Sequence, residues 1–201
     1  MPTLHAAAAD AQLPLWRYLA KDAVVQLPLP QIQIFGGGAH AGRRIDIQDL
    51  LVMPVAASSM DEALAMVAEV YRAAGELMTA AGKRAGVADE GGWWPDFASN
   101  EEALQMLTRS IEKAGYGNGE VMISLDIAAS EFGSGGQYRP GLEQRSFDSA
   151  QWCEVLLRWV AQYPILSLED PVAEDDTAGM IAFTAAAGAR IQVIGDDYLV
   201  T

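Results

Sequence analysis

The stretch "PILSLEDPVAEDD", residues 164–176, decides the fold prediction, because an apolar segment ends there in two adjacent carboxylates. The segment up to Leu168 is typical of a buried strand. The strand then finishes on Glu169 and Asp170, and a charged group at the edge of a core costs several kcal/mol unless a partner stabilises it. Either the start of a following helix or a bound cation could supply that stabilisation.

Two more apolar segments end in the same way. "EVMISLDIA" ends as a strand at Asp126, and "RIQVIGDDYLV" carries Asp196 and Asp197. Helical spacing of apolar residues separates the three, over about 149–162 and again near 175–187. Strands that alternate with helices predict an α/β fold with a parallel sheet, whose carboxyl ends share one edge. We therefore expect the acids of the three strands to converge.

The rest of the chain follows the same rhythm of strand, turn and helix. Two helices are predicted to begin at capping-box signatures, Ser59 with Glu62 and Ser99 with Glu102. Other predicted segments are strands at 27–35 and 49–55, a turn over 86–99 and a glycine-rich loop from Gly133 to Gly141.

Composition restricts the class of protein. The chain has 201 residues, 51% of them hydrophobic, and a net charge of −14. This acidity disfavours nucleic acid and anionic lipid as partners. No apolar run reaches the roughly 20 residues of a membrane span, and no signal peptide is evident, so we expect a cytoplasmic protein. The single cysteine, Cys153, is expected to be a packed helix thiol.

The strand-end acids have two possible roles. They could cap the following helices, which is the better interpretation for Asp170 because Pro171 suits the first helical position. Glutamate is a poor cap, and we expect Asp126, Glu169 and Asp196 as a set to bind a metal. Carboxylates without clustered Cys or His are hard oxygen ligands, which favour Mg²⁺, Mn²⁺ or Ca²⁺ over zinc.

Five blocks of sequence resemble the enolase (phosphopyruvate hydratase) family. They occur in the family's order and cover nearly the whole chain. The blocks are "LPLPQIQIFGGGAHAGRRIDIQDLLVMPV" (27–55), "VADEGGWWPDFASNEEAL" (87–104), "SIEKAGYGNGEVMISLDIAASEF" (110–132), "YPILSLEDPVAEDD" (163–176) and "IQVIGDDYLVT" (191–201). The resemblance implies an enolase-type (β/α)₈ barrel, with residues 1–26 as the end of an N-terminal capping domain and 27–201 as an incomplete barrel domain.

The resemblance also implies roles for individual residues. Asp126, Glu169 and Asp196 match the carboxylates that hold the catalytic Mg²⁺, and the last two also face the substrate. Glu90 matches the proton donor that helps the 3-hydroxyl of 2-phosphoglycerate leave as water. His40 and Asp49 match substrate-binding residues with auxiliary catalytic roles. The implied partners are a small phosphorylated carboxylate substrate and a second copy of the chain in a homodimer.

Departures from the family pattern leave alternatives open. Asp49 stands where enolases usually have Glu, and Trp93 and Trp94 follow "DEGG". These changes favour an enolase-like enzyme acting on another phosphorylated or carboxylated acid. No residue here matches the family's lysine base, so we expect this chain alone to be inactive, and a non-catalytic binding or assembly protein is the third hypothesis. By itself "DEGG" could be only a turn, and His40 only a loop histidine.

Overall fold

The computed structural model describes residues 1–117 and 119–200, and the side chain of His40 lies outside that description. The helices are α1 (Pro2–Asp10), α2 (Leu15–Ala20), α3 (Met60–Ala80), α4 (Asn100–Lys113), α5 (Ser149–Gln162) and α6 (Thr177–Ala187). Helices α3, α4 and α5 pack on a sheet, and α6 packs on α5.

The helix starts confirm most of the predicted boundaries. The Ser59 side chain accepts the N–H of Glu62 at the start of α3. In a complete capping box the Glu62 carboxylate would accept the backbone N–H of Ser59. Here it accepts the backbone N–H of Ser58, one residue earlier. The start of α4 repeats this arrangement. A complete capping box opens α5, between Asp148 and Gln151, and α5 has the predicted span.

The strands form one large and one small sheet. They are β1 (Ile32–Gly36), β2 (Asp49–Met53), β3 (Arg84–Val87), β4 (Trp93–Pro95), β5 (Met122–Asp126), β6 (Gly133–Ser134), β7 (Gln137–Tyr138), β8 (Phe147–Asp148), β9 (Ile165–Glu169) and β10 (Gln192–Ile194). The order in the large sheet is β10-β9-β5-β2-β1-β4-β3, and β6-β7-β8 form the small sheet.

Strand directions in the large sheet explain where the acids meet. β5, β9 and β10 are parallel, as predicted. β2 is antiparallel to both of its neighbours, β1 and β5. Because of that reversal, the first residue of β2, Asp49, lies at the same edge as the last residues of β5 and β9. This edge positions the candidate site.

One predicted turn and one predicted loop contain short strands. The segment 86–99, predicted as a turn, holds the end of β3 and all of β4, which pair with each other. The predicted loop Gly133–Gly141 contains β6 and β7. Both segments contain glycine and proline, and their strands are only two to four residues long. The alternation that identifies a strand therefore has no room to appear.

The core lies between the large sheet and the helices. Trp152 and Trp159 of α5 are buried, as their spacing predicts, and their rings contact each other edge to face. Cys153 is buried, which raises the pKa of its thiol to about 11. Leu64, near the start of α3, is 48% exposed, whereas Val67, about one turn later, is buried.

The first thirty residues pack loosely in the structure. Among the described residues of α1 and α2, only Ala8 is buried. No helix in the described ranges combines the length and apolar character needed to cross a membrane. The predicted division between 1–26 and 27–201 stays a prediction.

Candidate functional site

Three acids lie side by side at the edge where β2, β5 and β9 meet. Asp49 is the register partner of Asp126, and Asp126 is the register partner of Glu169. Ile194 of β10 is opposite Glu169, so Asp196 follows two residues beyond the last pair. The structure thus brings the strand-end acids of the sequence prediction to one edge of the sheet.

Among the described residues, Asp126, Glu169 and Asp170 form a group of carboxylates close enough together to hold a metal ion. Each offers one oxygen, and these oxygens all lie within 4.8 Å of one another. Asp126 and Asp170 are buried, and Glu169 is half-buried. Asp196 is exposed beside this group. The ligand role of Asp126, Glu169 and Asp196 stays a prediction, and the geometry adds Asp170 as a neighbour of the first two.

Burial and like charge both act on these carboxyls. Burial, followed by the charges of Glu169, Asp49 and Asp170, raises the pKa of Asp126 to about 8. The pKa of Glu169 is raised by burial first and then by Asp170 and Asp196. None of the ion pairs found in the described part of the chain includes Asp126 or Glu169. A divalent cation would remove the repulsion among them.

Hydrogen bonds hold Asp126 in place. One oxygen accepts the backbone N–H of Ala128 at 3.0 Å, and the other accepts the Gln48 side-chain amide at 2.9 Å. Each carboxylate oxygen has two lone pairs, so both retain capacity for a metal ion. Asp126 is therefore oriented but not saturated.

Asp170 has a different role from the predicted helix cap. Helix α6 starts seven residues later, and its cap is Asp176. The Asp170 carboxylate instead accepts the backbone N–H groups of three residues after β10: Asp196 at 3.1 Å, Asp197 at 2.8 Å and Tyr198 at 3.3 Å. These bonds fix the 3₁₀ turn Asp197–Leu199 that follows Asp196. The capping prediction was wrong because the partners lie 26–28 residues away in the sequence.

A buried glutamine joins the two other predicted catalytic acids. The Gln33 side-chain nitrogen donates to Asp49 and lies 3.4 Å from a carboxylate oxygen of Glu90. Glu90 is exposed, in the loop between β3 and β4. Sequence reasoning missed Gln33. The available signal was a polar residue inside the apolar strand "IQIF".

His40 and the tryptophan pair complete the predicted residues. The backbone of His40 belongs to the 3₁₀ turn Gly38–Ala41, and its side chain lies outside the described residues, so its role stays a prediction. The Trp94 indole donates to the Ala41 carbonyl of that turn. Trp93 stacks on Tyr71 of α3, so it faces the helix layer.

Comparison with known proteins identifies the family. Residues 24–201 match the family described as "Enolase, C-terminal TIM barrel domain". The chain belongs to the enolase family. It is 45% identical over 198 residues to a protein named Enolase from Rubrobacter xylanophilus. The matched region is 98% of this chain and 46% of that relative, so this chain spans about half the relative's length.

The family match confirms the fold expected from the sequence. The seven-stranded sheet with its covering helices belongs to the α/β barrel of the enolase family. In barrels of this type the active site lies at the carboxyl ends of the strands, which is the edge that Asp126 and Glu169 occupy. The donor set there consists of carboxylate oxygens, which suits a hard divalent cation such as Mg²⁺.

Proposed function

We propose that the protein is a Mg²⁺-dependent phosphopyruvate hydratase that interconverts 2-phosphoglycerate and phosphoenolpyruvate. The observation that carries the proposal is the alignment of Asp49, Asp126 and Glu169 at one sheet edge of an enolase-family chain. The sequence similarity to a protein named Enolase supports the same reaction. The substrate class is a small phosphorylated carboxylate.

Charge is the main obstacle in this reaction. Removal of the proton beside the carboxylate turns that end of the substrate into a doubly charged enolate, in addition to the charge of the phosphate group. The base that accepts this proton is not among the catalytic residues predicted from the sequence. In the proposed site Asp126, Glu169 and Asp196 would hold a Mg²⁺ ion, which would supply positive charge where this negative charge develops. Asp126 is buried, so water would screen the attraction between its carboxylate and a bound cation less than at an exposed site.

Glu90 is the proposed proton donor to the departing 3-hydroxyl group. Its carboxyl lies across the Gln33 amide from Asp49, and Glu90 is exposed and therefore accessible to a substrate. Asp49 and His40 are proposed to assist at the substrate. Transfer of a proton from the Glu90 carboxyl to the leaving oxygen would let the hydroxyl group depart as water.

The test compares wild type with Glu90→Gln in the protein as its gene encodes it, whatever residues flank these 201. Phosphoenolpyruvate formation is followed by its ultraviolet absorbance. Because a general acid contributes about 10²–10⁴-fold, we expect kcat to fall by at least about a hundredfold while Mg²⁺ affinity is retained. Asp89→Asn, at the exposed neighbouring residue, is the control. An unchanged kcat in Glu90→Gln would contradict the assignment.

Trp94 and Asp49 favour a second candidate, an enolase-like enzyme acting on another phosphorylated or carboxylated acid. The Trp94 indole donates to the Ala41 carbonyl in the turn that carries His40, so in this proposal the bulk of Trp94 alters the shape of the substrate site. A comparison of kcat/KM for 2-phosphoglycerate and other phosphorylated hydroxy acids separates the two functions. The second is supported if another acid exceeds 2-phosphoglycerate by about tenfold or more.

A further inference from the structure

Gln33 is a buried amide in a position where its hydrogen bonds link separate segments. It lies on β1 and is 7% exposed. Its register partner on β2 is Leu51, two residues from Asp49, so Gln33 and Asp49 share a face of the sheet. A buried amide is costly unless its donors and acceptor are satisfied. The three partners of Gln33 come from β2 and from the loop before β4.

The backbone fixes which way the amide points. The N–H of Gly92 donates to the Gln33 carbonyl oxygen at 2.7 Å. A backbone N–H can only donate, so the oxygen must face Gly92 and the NH₂ group must face the acids. There the nitrogen donates to Asp49 and approaches Glu90 at 3.4 Å. An amide nitrogen has two hydrogens, one for each carboxylate.

Close packing around the amide restricts its movement. A Cβ atom on Gly92 would lie 2.4 Å from the Gln33 carbonyl oxygen, and one on Gly36 would lie 3.2 Å from its nitrogen. A side chain at position 92 would push the Gln33 side chain away, and the hydrogen bonds of its amide to Asp49 and Gly92 would be disturbed. The backbone of Gly92 therefore packs directly against the Gln33 amide.

We propose that Gln33 is a positioning residue that sets the distance and orientation between Asp49 and Glu90. The inference rests on the proposed function, in which both acids face the substrate. The carboxylates come from different segments and repel each other when both are ionised. A neutral NH₂ group holds both by hydrogen bonds and adds no charge, so it leaves the net charge facing the substrate unaltered.

The test is Gln33→Glu in the protein as its gene encodes it. The introduced carboxylate keeps an oxygen for Gly92, but it replaces the NH₂ donor with a third acceptor facing Asp49 and Glu90. Since a misplacement of about 1 Å can cost about a hundredfold in rate, we expect kcat to fall about 10- to 100-fold, with KM within about threefold. Mg²⁺ affinity should hold, because no described contact joins Gln33 to Asp126 or Glu169.

The pH profile distinguishes positioning from a merely structural role. At low pH the introduced carboxyl regains a proton and can donate one hydrogen bond, so the kcat optimum should move to lower pH. The charged groups that face it are Asp49 and Glu90, with Asp126 on the strand beyond Asp49. Gln33→Met, which is neutral and lacks donors, should lose kcat without that pH shift and covers the case in which Gln33→Glu fails to fold.

Gln31→Glu is the matched control, because Gln31 precedes β1 and its described hydrogen bond, accepted from Ser124 at 3.0 Å, involves neither acid. It should retain wild-type kcat. If both Gln33 variants keep the wild-type kcat and pH profile in an active wild-type background, the positioning role is wrong and the proposed function stands. An inactive wild type would instead overturn the proposed function, and the positioning role with it.

Discussion

At the scale of single residues, Asp126 shows how burial and function oppose each other. Its carboxyl is buried beside Glu169, Asp49 and Asp170, and its pKa is raised from the ordinary 3.8 to about 8. Between those pH values the folded protein holds a proton that the unfolded chain has lost. The free energy of unfolding contributed by this group therefore falls as the pH rises through that window, when no metal is bound.

Asp126→Asn should consequently stabilise the metal-free protein. The asparagine keeps an acceptor for the Ala128 N–H and carries no charge. We expect the free energy of unfolding to increase relative to wild type by about 1–3 kcal/mol at about pH 8, with no increase below about pH 4. Urea unfolding in the presence of a chelator measures it. Asp22→Asn, at an exposed residue, should show no such trend. A variant less stable than wild type at pH 8 would contradict the electrostatic account.

Gln33 and Asp170 show which site residues the sequence could not reveal. The strand-end acids were predictable, because the carboxyl ends of parallel strands meet at one edge. Gln33 contacts residues 16 and 57 positions away, and Asp170 contacts residues 26–28 positions away. No local pattern encodes such contacts, since they depend on strand order and direction.

At the scale of elements, the turn Asp197–Leu199 depends on a residue of another strand. Asp170 adopts a left-handed φ of 40° at the end of β9, and both its oxygens accept N–H groups from residues 196–198. Asp and Asn tolerate this conformation better than most residues. Asp170 therefore acts on the candidate metal site through the backbone that carries Asp196.

Two substitutions separate this anchoring role from direct metal binding. Asp170→Ala should lower the free energy of unfolding by about 1–3 kcal/mol and Mg²⁺ affinity by about tenfold. Asp170→Asn retains an acceptor oxygen and should keep most of the affinity, measured by calorimetric titration. Asp175→Asn, which removes charge from an acceptor of Gly135 N–H outside the site, is the control. If Asp170→Asn loses as much affinity as Asp126→Asn, Asp170 is itself a ligand.

The elements also differ in how well the sequence predicts them. Helix α5 was predicted in full, because fourteen residues give the apolar spacing several turns to repeat. Strands β3 and β4 were missed, since they are short and contain glycine and proline. The reversal of β2 was not predictable from its own residues, because apolar alternation is the same in either direction.

At the scale of the whole molecule, the charge distribution agrees with a cation-binding site. The chain has a net charge of −14. The ion pairs within the described ranges involve exposed or half-buried side chains such as Arg43 with Glu131, and they leave Asp126 and Glu169 without a cationic side chain. The acids at the sheet edge thus form a negative site that a divalent cation would complete.

The Mg²⁺ dependence of 2-phosphoglycerate dehydration tests this account most directly. Phosphoenolpyruvate formation is measured against free Mg²⁺ for wild type and Glu169→Gln, in the protein as its gene encodes it. Wild type should be inactive in chelator and saturate with Mg²⁺, and Glu169→Gln should need at least about tenfold more Mg²⁺ for half-maximal rate. Turnover in chelator, or the same Mg²⁺ dependence in both proteins, would contradict the account.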